Sequence, residues 1–175
     1  SLPVPYGITF VSAPTAYDME TELIKECESA DVLIMAAAIS DWKPKEYSAD
    51  KIKKSKSDSW NLELVKNSDI LQKIKGTKLL KIGFAAESDS LISNASKKLK
   101  LKNLEFIVAN DISRNDSGFG TDTNRVTFVT KSGATEQLPL LTKYEVGHAI
   151  LDKVAMLLRD TELSSQNMGE NNADS

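Results

Sequence analysis

Several short stretches carry side chains suited to a charged or hydrogen-bonding ligand. Ala36-Ala37-Ala38-Ile39-Ser40-Asp41-Trp42 follows an apolar run ending at Met35. Small residues at a strand end let a ligand approach the backbone, whose N–H and C=O groups can read a base edge. Asp41 can then accept from sugar hydroxyls or hold a cation. The same stretch also reads as a tight strand exit with Asp41 capping a turn. Lys51-Ile52-Lys53-Lys54 can neutralise a triphosphate or a departing pyrophosphate from a closing loop, or form a solvated charge run. Lys98 and Lys102 lie four apart, so on a helix they share a face. An anion can bridge two such ammoniums, although with Lys97 and Lys100 they also read as one exposed face. Lys66-Asn67-Ser68-Asp69-Ile70 can start a helix whose N–H groups favour anionic or oxygen-rich groups, or be an ordinary N-cap. Phe84 ends an apolar run and can stack on a base or belong to the core.

Other chemistry is excluded or weak. No GxGxxG and no GxxxxGK[ST] occurs, so neither glycine-rich phosphate motif is present. One cysteine, Cys27, excludes an internal disulfide and a multi-cysteine metal site. One histidine, His148, excludes a two-histidine metal site and leaves little room for a Ser-His-Asp triad. Cys27 lies on an apolar stripe and reads as core. His148 has apolar neighbours and reads as structural.

These groups need a frame. The chain has 175 residues, 41% hydrophobic and 27% charged, which suits one globular domain. Its formal charge of -3 argues against a nucleic-acid binder. No apolar run reaches the ~18 residues of a membrane span, and SLPVPYG does not read as a signal peptide. The expected location is the cytoplasm.

Ile8-Thr9-Phe10-Val11 predicts a strand, broken by Ser12-Ala13-Pro14. Thr15-Ala16-Tyr17-Asp18 reads as a capping box opening a helix with Met19, Leu23 and Cys27 on one stripe. The run 31–38 predicts a strand buried on both faces. Residues 39–61 read as a long polar loop containing Lys51, Lys53, Lys54 and Lys56. A short strand is expected at 62–65. Ser68 is the expected N-cap of a short helix carrying Ile70, Leu71 and Ile74. Then come a strand at 79–84, a helix from Asp89 to Leu101 and a strand at 104–108. Gly118 to Asn124 is turn-rich. The stretches 125–130 and 135–140 flank Gly133 as a hairpin. Thr142-Lys143-Tyr144-Glu145 is a second capping box, opening a helix to about Leu158. Residues 1–160 form the expected domain, and 161–175 read as a disordered tail.

Alternating strands and helices predict an α/β fold. The expected form is a Rossmann-like, three-layer, mostly parallel sheet with helices on both faces and a C-terminal β-hairpin. Ligands in such sheets sit outside the carboxyl ends of the strands, here Ala37 to Asp41, Phe84 to Glu87, and Asn110-Asp111.

In order, the stretches at 36–42, 51–54 and 66–70 are joined by Ile82-Gly83-Phe84-Ala85-Ala86-Glu87 and Lys102-Asn103. Ala109-Asn110-Asp111 and Phe119-Gly120-Thr121-Asp122-Thr123-Asn124 complete the set. Together they resemble the bacterial phosphopantothenate–cysteine ligase family, from Ser1 to about Leu158. Each motif is weak alone, but their shared order is specific. The resemblance implies a two-step reaction. The carboxylate of 4′-phosphopantothenate attacks the α-phosphate of CTP, giving an acyl-cytidylate and pyrophosphate. The amino group of cysteine then displaces CMP. Lysine and Mg²⁺ stabilise the phosphate charge.

Position by position, the resemblance places Met35, Ala36 and Ala37 at the cytosine. Asp41 becomes the acid near the ribose or metal, and Lys51 the first lysine of a closing flap. Ser68, Asp69, Ile70 and Leu71 form a nucleotide-binding helix start, with Ser68 where the family usually has Pro. Phe84 becomes a base-contacting aromatic, and Lys98 and Lys102 face the phosphates. The form of the lysine motif resembles the CTP-using branch. The implied partners are a second copy in a homodimer, through the hairpin near Ser132-Gly133, and a fused or associated phosphopantothenoylcysteine decarboxylase flavoprotein.

The family opens with a Gly-rich strand–loop–helix unit and a further strand, which have no counterpart before Ser1-Leu2-Pro3. The resemblance therefore implies a fragment, a cleaved product or one piece of a longer polypeptide, in which these 175 residues do not catalyse the whole reaction alone. The alternatives are a non-catalytic nucleotide-binding or dimerisation fragment and an NAD(P)-dependent protein, the latter disfavoured by the absent glycine fingerprint.

Overall fold

The computed structural model describes residues 3–53, 59–75, 78–87, 91–112 and 120–170. Ser1-Leu2, Lys54 and Lys56 of the lysine-rich loop, Asp89, and Gly118-Phe119 lie outside these residues. The chain divides into two compact units, 1–82 and 83–175.

In the first unit, α1 spans Ala16–Glu26 and opens with the expected capping box. The Thr15 hydroxyl accepts from the Asp18 amide, and Asp18 Oδ2 accepts from the Thr15 amide at 3.1 Å. Helix α1 buries none of its residues, and Met19, Leu23 and Cys27 are only half-buried. Cys27 is the C-cap rather than a core residue, because the stripe grazes its neighbours instead of entering a core. Partial burial pushes its thiol pKa up, Glu26 adds to this, and the Lys81 ammonium opposes it.

Strand β1 spans Val32–Met35. Its burial alternates, with Leu33 and Met35 buried and Ile34 37% exposed, so the expectation of two covered faces fails. The reason is position: β1 ends the sheet order, and one face is left partly open. Ile8-Thr9-Phe10-Val11 forms no strand and is exposed, Phe10 at 70%. β-branched residues favour a strand only where a neighbour accepts their backbone bonds. None does among the described residues.

The expected loop 39–61 contains structure. Strand β2, Trp42–Pro44, pairs antiparallel with β3, Leu64–Lys66. The ribbon continues as Lys45 N–H donates to Glu63 O at 3.0 Å and their side chains form an ion pair at 2.9 Å. The Lys66 ammonium sits 5.6 Å from the Trp42 ring centre. The short strand expected at 62–65 forms as β3, while its partner β2 is missed because it is three residues long, exposed and contains Pro44. Helix α2, Ile70–Lys73, buries Ile70, Leu71 and the following Ile74.

Strand β4, Leu80–Glu87, runs from the first unit into the second. In the first, its Leu80 N–H donates to Asp31 O at 2.9 Å. In the second, α3, Leu91–Lys102, connects it to β5, Phe106–Asp111, the strand–helix–strand arrangement of parallel neighbours. Gly83 lies in β4 where an added Cβ would stand 2.7 Å from Leu104 Cδ1. Two-residue β6, Thr123–Asn124, precedes β7, Val126–Thr130. Strand β7 pairs antiparallel with both β5 and β8, Thr135–Gln137, and Gly133 adopts φ +88° in the expected hairpin. Strand β9, Leu141–Thr142, pairs with β6.

The sheet order is β1-β4-β5-β7-β8. The fold is α/β and Rossmann-like with a mixed sheet, whose antiparallel part is the β5–β7–β8 side. In the second unit the core centres on Phe106, Ile107, Val108, Phe128 and Val129, each at most 2% exposed. Phe106 and Phe128 meet edge to face at 5.5 Å.

Helix α4 spans Lys143–Glu170, longer than the expected end near Leu158. Residues 161–170, expected in a disordered tail, are helical. The Glu, Leu, Gln and Met content of this stretch supports a helix, and no proline interrupts it. The second capping box forms, with Glu145 Oε2 accepting from the Thr142 amide at 2.8 Å. His148 is exposed and meets Tyr144 edge to face at 4.5 Å, so it is not among the apolar packing residues.

Candidate functional site

In the first unit, Met35 is buried at the end of β1, and Ala36 and Ala37 follow with exposed backbone and side chains. Asp41 is exposed just before β2. Its position is fixed by Asn67, which sequence reasoning placed in a motif but not among the site residues. Asn67 donates its side-chain amide to Ser40 O at 2.7 Å and its backbone N–H to Asp41 O at 2.8 Å. One asparagine after β3 thus pins the segment after β1. A local signal existed, since Asn67 sits inside 66–70, but its partner 27 residues away could not be read.

The start of α2 differs from expectation. Asp69, not Ser68, is the N-cap, and it accepts from the Gln72 amide. A carboxylate is as good a cap as a hydroxyl, and Ser68 is otherwise engaged. The Ser68 hydroxyl donates to Glu20 on α1, and the Lys73 ammonium donates to the same carboxylate at 2.6 Å. Lys73, then Ser68, hold the Glu20 carboxyl below the usual glutamate range. Ile70 and Leu71 turn their side chains into the core, so only their backbone can serve a ligand. Lys81, 6% exposed, donates to the Leu71 and Ile74 carbonyls at 3.4 Å each, at the helix's other end. Lys51, Ile52 and Lys53 are exposed within the segment that β2 and β3 bracket, Ile52 at 57%.

In the second unit, Phe84 is half-buried in β4. Lys98 donates its ammonium to the Phe84 carbonyl at 2.7 Å. Lys98 and Lys102 are half-buried, whereas Lys97 and Lys100 are exposed, so the four lysines are not one solvated face. At the end of β5, Asn110 Oδ1 is a buried acceptor with no hydrogen-bond partner among the described residues. A cavity of about 90 Å³ next to it in sequence is lined by Leu91, Asp111, Arg125, Val126, Thr127 and Gln137.

Metal ligation was expected at Asp41. Among the described residues no three His, Cys, Asp or Glu side chains cluster as a metal cage. Asp41 offers a single exposed carboxylate, which fits Mg²⁺ held chiefly by substrate phosphates and water. No helix among the described residues is long and apolar enough to cross a membrane.

The chain is similar to known proteins along most of its length. The coenzyme A biosynthesis bifunctional protein CoaBC of Bacillus subtilis (strain 168) is 38% identical over 164 residues, covering 92% of this chain and 40% of that protein. The protein of the same name from Borreliella burgdorferi is 41% identical over 151 residues, 84% of this chain and 37% of that protein. The chain therefore spans about two fifths of the length of these relatives. The crystal structure of the C-terminal domain of a coenzyme A biosynthesis bifunctional protein CoaBC superposes with a TM-score of 0.73 at 39% identity. It covers 91% of this chain and 73% of that one. Residues 1–158 match one family, and by that match the chain belongs to the DNA/pantothenate metabolism flavoprotein C-terminal domain family.

Proposed function

We propose that the protein carrying this chain acts in coenzyme A biosynthesis, joining 4′-phosphopantothenate to cysteine at the expense of CTP. The observation that carries the reading is 38–41% identity to bifunctional coenzyme A biosynthesis proteins across 84–92% of this chain. The motif residues at 35–42, 51–54 and 66–71 in the first unit support it, as do those at 82–87 and 98–111 in the second.

A carboxylate is a poor acyl donor, so activation must give it a leaving group. Attack of the pantothenate carboxylate on the α-phosphate of CTP forms a P–O bond and expels pyrophosphate. The cysteine amine then attacks the acyl carbon, forming the amide, losing a proton and releasing CMP. Lys51 carries charge to the departing pyrophosphate from its exposed segment. Ala36 and Ala37 leave backbone groups open to the base, with Met35 anchoring the strand behind them. The backbone at Ser68, Asp69, Ile70 and Leu71 serves oxygen-rich groups. In the second unit Phe84 faces the base and Lys102 the phosphates. Asp41 would hold Mg²⁺, which supplies charge neutralisation at the phosphates.

Calorimetric titration of the full-length protein with CTP and with ATP, each with Mg²⁺, tests the reading. Selective CTP binding is expected, followed by pyrophosphate release that depends on 4′-phosphopantothenate. Preference for ATP, or binding of neither, overturns it. Lys51→Ala should slow acyl-cytidylate formation about a hundredfold and leave cytidine binding unchanged. Equal loss of CTP and cytidine binding would contradict the assigned role.

The same reading makes the protein a cytoplasmic homodimer, working with a phosphopantothenoylcysteine decarboxylase flavoprotein as a fused or associated partner. Strand β8 ends the sheet order and exposes Thr135, Glu136 and Gln137, leaving an edge able to pair. A monomer mass by light scattering at high concentration would refute the dimer.

A further inference from the structure

Resting on the nucleotide reading above, we propose that Lys98 is a positioning residue for Phe84, acting on the base side of the site. The Lys98 ammonium, on α3, meets the Phe84 carbonyl of β4 at 2.7 Å. That is the length of a charge-assisted hydrogen bond, about twice as strong as a neutral one. Both residues are half-buried, so water competes for the bond less than on an open surface.

The frame around the bond is rigid. Helix α3 buries Ala95 and Leu99, at 0% and 2% exposure, on either side of Lys98 in sequence. Gly83, the residue before Phe84, lies so close to Leu104 that a Cβ would stand 2.7 Å from its Cδ1. The β4 backbone at Phe84 is therefore held by a close approach at Gly83 and by a side-chain donor at its own carbonyl. Holding the backbone at Phe84 narrows the positions open to its ring, so less freedom is lost on binding a base. The bond to the Phe84 carbonyl uses one of the three donors of the ammonium and ties α3 to β4 at the aromatic residue itself. Lys102 lies one turn further along the same face and serves as the comparison for a phosphate cation.

The two roles separate when the phosphates are removed from the ligand. A phosphate contact matters for CTP and not for cytidine, whereas a residue acting through Phe84 matters equally for both. The experiment uses the full-length protein with Lys98→Met, which keeps the stem and removes the donor, and Lys98→Gln, which keeps a neutral donor. Lys102→Met is the comparison. Dissociation constants for CTP and cytidine are measured by calorimetry and displacement. Lys98→Met should weaken both ligands by the same factor, about tenfold. Lys98→Gln should recover part of that loss, and Lys102→Met should weaken CTP alone.

Amide hydrogen exchange without ligand gives a second readout. Exchange at 83–86 should quicken in Lys98→Met and stay unchanged in Lys102→Met. Loss of CTP binding with cytidine binding intact in Lys98→Met overturns the proposal and returns Lys98 to the phosphates. Unchanged exchange at 83–86 overturns it as well. Failure of the wild-type protein to bind either ligand would instead overturn the function itself, and this inference with it.

Discussion

Helices α1 and α4 begin with the same device and then diverge. In α1, Thr15 and Asp18 exchange hydrogen bonds; in α4, Thr142 and Glu145 do the same. Yet α1 buries none of its residues, whereas α4 places Val146, Ile150 and Val154 at 3–6% exposure. The contrast extends to the two units that contain them. Residues 83–175 pack Phe106, Ile107, Val108, Phe128 and Val129 into one apolar core. In residues 1–82, much of the candidate-site frame is set by polar ties instead: Asn67 to Ser40, Glu20 to Ser68 and Lys73, Lys81 to the end of α2. A packed core fixes position with many weak contacts, so losing one large side chain is costly. Polar ties fix position with a few directional bonds, each worth about 1 kcal/mol. The first unit should therefore be easier to perturb locally, and the second harder to perturb without unfolding.

The largest expected effect tests that contrast directly. Phe128→Ala removes a ring that is 2% exposed, meets Phe106 edge to face and lies 5.3 Å from the Lys153 ammonium. It should cost about 3–5 kcal/mol in urea unfolding. Leu33→Ala, in an edge strand whose neighbour Ile34 is open, should cost about 2 kcal/mol, the low end for its kind. Equal losses would erase the distinction between the units.

The capping boxes sharpen it further. Thr142→Ala should cost about 1 kcal/mol of global stability, because α4 is anchored in the core. Thr15→Ala removes the same hydrogen bonds from a helix with no buried residue. Its effect should show first as faster amide exchange within 16–20, with a smaller change in global unfolding. A global loss as large as that of Thr142→Ala would mean that α1 is coupled to the core more tightly than its exposure implies.

The same contrast explains what the sequence could disclose. Both capping boxes were legible because their partners lie three residues apart. The β7–β8 hairpin was legible because Gly133 supplies the positive φ between two alternating runs. Lys98 and Lys102 could be placed on one helix face by spacing alone. What failed depended on distant partners. Ile8 to Val11 has the residues of a strand and no strand beside it among the described residues. Trp42–Pro44 has the opposite history: an unpromising Pro-containing triplet becomes a strand because Leu64–Lys66 pairs with it. The cap of α2 moved from Ser68 to Asp69 because Glu20, 48 residues away, engages the serine hydroxyl. The bond from Lys98 to the Phe84 carbonyl and the buried acceptor of Asn110 were invisible for the same reason. Residue types suggested ligand contacts at these places, and only the packing around them decides which atoms face one another.

The smallest expected effect comes from acid, and it touches both units. Glu20 is held below the usual carboxyl range first by Lys73 and then by Ser68; Glu145 is held low by the hydroxyl and amide of Thr142. A carboxyl whose folded pKa is depressed contributes stability above its unfolded value, and that contribution is lost as pH falls through the folded value. Both groups therefore add stability at neutral pH and lose it below about pH 4. Glu20→Gln should flatten the acid limb of a stability–pH profile, and its exchange signature should centre on 68–73, where the Ser68 and Lys73 ties end. Glu145→Gln should flatten the same limb through the start of α4. If acid loosened 68–73 equally in wild type and Glu20→Gln, the polar ties would not be what holds that segment, and the packing of Ile70, Leu71 and Ile74 would have to account for its position alone.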